Sequence, residues 1–477
     1  MLRRDFLAQT AVPLAASMVT LPRGLNRSIR PVPTPSQLAW HQNELSLFLH
    51  FGVNTFTDRE WGDGTEDPAI FNPVALDARQ WIRAAKAGGF RTAILTAKHH
   101  DGFCLWPSRL TDHSVRSSPW REGRGDVVRE FTEACREEGL IAGLYLSPWD
   151  RHEPSYGDSP RYNDFYIAQL TELLTQYGPI GEIWFDGANG EGPNGKRQSY
   201  DWSRIHGTVR RLAPRALMFS DAGPDLRWIG NEKGTAGDPN WCMMDPAAVP
   251  YAGADGPGII DALQHGDPHG SVWRPGEADV SIRPGWFYHP AEDDKVRTVL
   301  GLRDLYFSSV GRNAGLLLNV PPNRSGLISP IDATRMGEFG DLLAHSFSHD
   351  QSRSAQSASD NRGRTRQPGR VFDPDPSSHW DAPMSGGWLQ LDFSSPIQFN
   401  VVSIQEAIAS GQSVSAHRVE AWSGSEWSII TVGTTVGARR LHTFQPVTTT
   451  RVRLSIMSAL DSVRISRVGL FKMDFGD

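Results

Sequence analysis

Residues 40–344 repeat one pattern: a short apolar run, an amphipathic stretch, then another apolar run. The runs fall at 47–53, 92–97, 141–146, 182–185, 216–220, 279–282 and 316–320. Continuous rather than alternating apolar runs predict parallel strands covered by helices on both faces. Between them, Tyr162, Tyr166, Leu170, Leu173, Leu174 and Tyr177 keep the i, i+3, i+4 spacing of one buried helical stripe, and Gly178-Pro179 ends it. Two more helices end at Gly88-Gly89 and Gly139. This α/β alternation favours a (β/α)8-like TIM barrel, longer than the ~250 residues usual for that architecture. An open doubly wound sheet is the rival, but no glycine-rich phosphate loop follows the first run. Seven strands can be read this way; an eighth is not evident.

A chain of 477 residues exceeds the ~100–200 of a single domain. Residues 31–345 are assigned to the barrel. Residues 346–369 turn polar and arginine-rich and read as a linker or a long first loop. From 370 to 477 short strand patterns recur at 388–393, 401–406, 417–422, 427–432, 451–456 and 466–471 without helical periodicity, which predicts an all-β sandwich. At the other end, Arg3-Arg4-Asp5-Phe6-Leu7 precedes an apolar run through Met18-Val19, too short to span a membrane. Residues 1–30 therefore read as a signal peptide, and the arginine pair resembles the bacterial twin-arginine export motif. The mature protein is expected outside the cytoplasm, periplasmic or secreted, and not in the membrane.

A net charge of −6 argues against a nucleic-acid binder, which needs a basic face. Cys104, Cys135 and Cys242 have no CxxC spacing and read as buried free thiols. The 16 tryptophans suit a carbohydrate enzyme, because sugars stack their C–H faces on indoles, although large cores use tryptophan too.

In a barrel the reactive groups lie where strands end, so polar residues directly after apolar runs are the candidates. Leu49-His50-Phe51-Gly52, Lys98-His99-His100-Asp101-Gly102-Phe103, Trp184-Phe185-Asp186-Gly187 and Arg283-Pro284-Gly285-Trp286-Phe287 occupy such places. Histidines, a carboxylate and indoles at several strand ends are what a sugar pocket requires. His99 and His100, adjacent on an extended segment, are expected to point to opposite faces, which disfavours a shared metal. Asp186 precedes a glycine-rich loop rather than a helix, so it has no helix to cap.

These segments, with Gly311-Arg312-Asn313-Ala314-Gly315-Leu316-Leu317-Leu318-Asn319-Val320-Pro321-Pro322, closely resemble glycoside hydrolase family 29, the retaining α-L-fucosidases. The resemblance implies a double displacement with Asp186 as nucleophile. A retaining enzyme needs a second carboxyl group about 5–5.5 Å away. Asp221, Asp225, Glu232, Glu277 and Asp279 are the sequence candidates. Trp228-Ile229-Gly230-Asn231-Glu232-Lys233-Gly234 and the segment from Trp273 to Trp286 resemble the subgroup acting on α-1,3/1,4-linked fucose of branched glycans, which favours Glu232, with Glu277 next. The family further implies a pocket lined by His50, Glu60, Trp61, His99, His100, Tyr145, Trp184 and Trp286. No cofactor and no metal are implied, and the partner is a fucosylated oligosaccharide or glycoprotein glycan. A broader linkage range, a metal-dependent enzyme using the histidines, and a non-catalytic glycan binder are the competing readings. The C-terminal region, through Phe372-Asp373-Pro374-Asp375 and Gly387-Trp388-Leu389-Gln390-Leu391-Asp392-Phe393, resembles the discoidin-like (factor 5/8 type C) sandwich and reads first as a packing domain that braces the barrel.

Overall fold

The computed structural model describes residues 30–360, 367–375 and 377–474. The expected signal peptide lies outside the described residues except for Arg30. Eight parallel strands form one sheet: β1 (Leu45–Leu49), β2 (Thr92–Lys98), β3 (Ile141–Leu146), β4 (Glu182–Trp184), β5 (Leu217–Phe219), β6 (Arg227–Trp228), β7 (Gly276–Ser281) and β8 (Gly315–Asn319). Their order is β5-β4-β3-β2-β1-β8-β7-β6, and a parallel bridge between Phe219 and Leu226 joins the two ends. The sheet is thus a nearly closed barrel. All seven strands read from the sequence are present. The eighth, β6, is two residues long, begins with an arginine and follows β5 without an intervening helix. Arg227 is fully buried because its guanidinium donates to the Leu263 and Arg274 carbonyls and to Asn240 Oδ1.

The helices of this region are α1 (Pro35–Asn43), whose Trp40 packs with the interior residues Phe48, Tyr145 and Trp184, then α2 (Ala78–Ala87), α3 (Val127–Glu138), α4 (Ser159–Gln176), α5 (Trp202–Leu212), α6 (Pro257–His265), α7 (Val299–Ser308) and α8 (Pro330–Ser346). Asp77, Asp126 and Asp201 each accept a backbone N–H in the first turn of α2, α3 and α5, so the sequence marks where these helices start. Tyr162, Tyr166, Leu170, Leu173 and Leu174 form the buried stripe of α4. Cys104, Cys135 and Cys242 are buried free thiols.

Strand β7 positions much of the site. Its alternate residues Ala278 and Val280, with Ile282 just beyond its end, join apolar clusters. The intervening Glu277, Asp279 and Ser281 bond to Trp184, Trp228 and Asn319. Interior barrel positions are usually bulky and apolar, so three polar ones on a single strand mark a functional wall.

The C-terminal domain contains β9 (Ala355–Asp360), β10 (Trp380–Ala382), β11 (Gly387–Glu406), β12 (Val414–Trp422), β13 (Trp427–Gly433), β14 (Arg440–Ala459) and β15 (Val463–Phe471), all antiparallel. Two corrections follow. The stretch read as a linker or first loop, 346–369, contains β9, a polar strand that among the described residues pairs with β11 alone; an edge strand needs no apolar run. The patterns at 388–393 and 401–406 belong to one strand, β11, whose register shifts between Asp392 and Ile397 around Ser394-Ser395-Pro396. The domain is bonded to the barrel by polar contacts: Arg440 pairs with Asp238 at 2.9 and 2.7 Å, Arg439 donates to Tyr306 Oη at 2.6 Å, and the Cys242 N–H donates to Gln412 Oε1 at 2.8 Å.

Candidate active site

A cavity of about 360 Å³ opens at the C-terminal ends of the barrel strands. Nine of the ten residues singled out from the sequence line it: His50, Glu60, Trp61, His99, His100, Trp184, Asp186, Glu232 and Trp286. The tenth, Tyr145, is not on the wall. Its ring is buried, and its hydroxyl donates to Asp186 Oδ2 at 3.1 Å.

Asp186 leaves β4 two residues after Trp184, whose indole stacks on Phe219 with centroids 4.2 Å apart and planes 8° apart. Its Oδ1 accepts the Ala188 N–H at 2.7 Å, and His100 Nε2 lies 3.9 Å from Oδ2. Each of its two oxygens therefore has a donor, the Ala188 N–H on Oδ1 and the Tyr145 hydroxyl on Oδ2. The side chain remains one quarter exposed, toward the cavity.

His50 ends β1. Asn319 commits Nδ2 to Ser281 Oγ and the Trp286 carbonyl, so its Oδ1 faces His50 Nδ1 at 2.9 Å. His50 must therefore donate from Nδ1. Burial pushes it down to about 3, which keeps the ring neutral and leaves Nε2 an acceptor. His99 and His100 follow β2, where the strand stops and the chain turns. Their rings lie side by side, centroids 4.1 Å apart, instead of on opposite faces. The alternation rule fails because it holds only within an extended strand. Burial lowers His99, with His100 adding to the effect, and lowers His100 even against the pull of Asp186. Among the described residues no group of three or more His, Cys, Asp or Glu is arranged to hold a metal ion. Lys98 is off the cavity, buried between Asp150 Oδ2 at 2.8 Å and Gln169 Oε1 at 2.9 Å.

Across the cavity, Glu232 follows β6, and Trp286 Nε1 donates to its Oε2 at 3.3 Å. Its side chain is exposed at the rim. Desolvation of the carboxyl raises its pKa, the Trp286 bond opposes this, and the charges of Asp186 and Glu60 add to the rise. Lys233 is exposed. Glu60 accepts the Trp286 N–H at 2.8 Å, the Phe287 N–H at 3.1 Å and His289 Nε2 at 2.6 Å, so it clamps the Trp286 loop while lining the cavity.

The other acid/base candidates separate clearly. Asp225 is tied to Arg210 and the Met218 N–H. Asp221 accepts the Gly253 N–H and does not line the cavity. Glu277 is fully buried, accepts Trp184 Nε1 at 3.0 Å and pairs with Glu182. Only Glu232 and Asp279 face the cavity. Phe48 and Ala188 also line it and were not singled out from the sequence. Phe48 was legible by alternation, two residues before His50 on β1.

Residues 33–346 match the α-L-fucosidase family, and residues 353–468 match the F5/8 type C domain. The chain belongs to the α-L-fucosidases. It is 45% identical over 457 residues to α-L-fucosidase 1 of Arabidopsis thaliana, covering 94% of this chain and 88% of that one. The solved structure of SpGH29 superposes with a TM-score of 0.88 at 38% identity, covering 93% of this chain and 99% of that one. A glycoside hydrolase family 29 fucosidase of Ruminococcus gnavus, solved in complex with fucose, gives 0.84 at 32% identity over 93% and 95% of the two chains. As a fucosidase, the chain is a glycoside hydrolase acting on fucosylated glycans. Its cavity carries the carboxylates, imidazoles and indoles that such a substrate demands.

Proposed function

We propose that this fucosidase is a retaining exo-enzyme that removes terminal α-1,3/1,4-linked L-fucose from branched glycans, with Asp186 as nucleophile and Glu232 as acid/base. One observation carries this reading: the two carboxyl groups share a cavity but have opposite surroundings. Asp186 accepts from two donors, whereas Glu232, exposed at the rim but partly desolvated, has one long bond from the Trp286 indole and faces the charges of Asp186 and Glu60. Environments that separate two carboxyl groups in this way assign the base-like and acid-like roles. Asp186 attacks the anomeric carbon and forms an ester while Glu232 gives its proton to the departing oxygen. Glu232 then takes a proton from water, which attacks the same carbon and regenerates Asp186. Phe48 and Trp184 are buried residues lining the cavity, an arrangement suited to a chain end rather than a chain interior. The fucose held by the R. gnavus relative supports the substrate class.

The linkage preference rests on the segments carrying Glu232 and Trp286, which meet at the cavity through the indole bond. NMR of the first-formed sugar should show α-L-fucose; initial β-L-fucose would overturn retention. Asp186→Ala should lose ~10³-fold or more of kcat on an aryl fucoside. Glu232→Ala should slow natural oligosaccharides far more than aryl fucosides with good leaving groups. Release from α-1,3/1,4-linked oligosaccharides should outpace release from α-1,2- and α-1,6-linked ones; equal rates would replace the narrow specificity with a broad one. The N-terminal segment supports export to the periplasm or beyond. Replacing Arg3-Arg4 by lysines should retain the protein in the cytoplasm.

A further inference from the structure

Of the four carboxyl groups on the cavity wall, the double displacement leaves Glu60 and Asp279 unused, and Glu60 is committed to the Trp286 loop and His289. Asp279 sits on the interior side of β7 between Glu277 and Ser281, is 3% exposed, and lines the cavity. Its Oδ1 accepts the indole N–H of Trp228 at 2.8 Å. Trp228 lies four residues before Glu232, and the next residue, Ile229, donates its N–H to the Glu277 carbonyl at 3.1 Å. The Trp228–Asp279 bond therefore ties the base of the Glu232 loop to the strand beside it.

The ionisable groups acting on Asp279 are Glu232, from the loop after β6, and Glu277, two residues back on its own strand. Both are acidic. Burial, with the Glu232 charge adding, holds the Asp279 carboxyl well above the usual carboxylate range. A cavity that already needs an ionised Asp186 has little tolerance for another desolvated anion. A neutral carboxyl is chemically different from its neighbours here: it has an O–H to donate as well as an oxygen to accept with.

We propose that Asp279 is a neutral hydrogen-bond donor that binds a hydroxyl of the bound sugar and, through Trp228, positions the loop bearing Glu232. This assigns Asp279 neither the nucleophile's nor the acid's task. It rests on the cavity being the fucose site, so its test includes an arm that needs no sugar.

Asp279→Asn keeps an N–H donor for the sugar and a carbonyl acceptor for Trp228; Asp279→Ala keeps neither. Asp279→Ala should lower kcat/KM on an aryl fucoside about 100-fold or more, mostly through KM, and weaken fucose binding by calorimetry in parallel. Asp279→Asn should recover most of that loss, ending within about tenfold of the wild type, with both limbs of the pH–rate profile unmoved. An Asn variant as damaged as the Ala variant, or one lacking a limb of the profile, would show that an ionised carboxylate does the work and overturn the proposal. So would an Ala variant that binds and turns over like the wild type. If the Ala variant fails to fold, isotope-edited infrared difference spectra between wild type and Asp279→Asn still decide the protonation. A protonated-carboxyl band at neutral pH supports the proposal, and a carboxylate band overturns it, whatever the sugar.

Discussion

Both oxygens of Asp186 have donors before any substrate arrives, and one of those donors, Tyr145, takes no place on the cavity wall. On the proposed mechanism the tyrosine would act through the carboxylate, its hydroxyl aiming the group that attacks. A hydrogen bond to a charged group is worth about 1.5–3 kcal/mol, equivalent to roughly 10–100-fold in rate when it is made in the transition state. Tyr145→Phe should therefore lower kcat on an aryl fucoside by about that factor while leaving the fold intact, as checked by circular dichroism. An unchanged kcat would show that the Ala188 N–H alone suffices. At this scale most of the cavity lining was legible, since polar residues that follow apolar runs gather at the strand ends. What stayed hidden was directional. No spacing rule tells that Tyr145 reaches Asp186 instead of the cavity wall, that His99 and His100 turn side by side after β2, or that Glu277 points at Glu182 while Asp279, two residues on, meets the cavity.

Loops after β1, β6 and β7 meet in one clamp. Glu60 gathers two backbone N–H groups of the Trp286 loop and the His289 ring, and the Trp286 indole in turn donates to Glu232. Burial works against the charged form of His289, but its bonds to Asp58 and Glu60 outweigh this and raise its pKa, favouring the charge-assisted pair. Glu60→Ala would free three donors and with them the Trp286 ring. The expected result is a KM at least tenfold higher, together with a loss of intrinsic tryptophan fluorescence change on fucose binding. A variant whose KM is unmoved would make the clamp incidental. The same loops explain the missing eighth strand. Strand β6 has no apolar run because Arg227 is buried by satisfying its donors on carbonyl and amide oxygens, and no helix precedes it to announce a β/α unit. In the sandwich, β9 was unreadable for a related reason: an edge strand of small polar residues has the composition of a linker.

Over the whole molecule, buried ionisable groups oppose each other across the pH scale. Burial depresses His417 to about 4 and His442 to about 2 in the sandwich, and His41 to about 3 in the barrel. Groups depressed in this way contribute stability above their unfolded value of 6.5, and that contribution is lost as pH falls toward the folded values. Glu182 and Glu277 act in the other direction. They meet inside the barrel at 2% and 0% exposure, and Glu277 also holds the Trp184 indole beneath the sugar cavity. Burial lifts Glu277 from 4.5 to about 7, and burial with the Glu277 charge lifts Glu182 well above the usual carboxylate range. The folded chain thus holds protons here that the unfolded chain releases. This contribution is complete below pH 4.5 and declines as pH rises through 7, on the order of 1.4 kcal/mol per pH unit for each proton difference. Glu277→Gln keeps an oxygen for Trp184 and a fixed N–H for Glu182, so it mimics the protonated member of the pair. Its Tm measured between pH 5 and 8 should decline less steeply than that of the wild type. Parallel curves would mean that the pair keeps the same protons folded and unfolded, and that the alkaline edge of stability lies elsewhere.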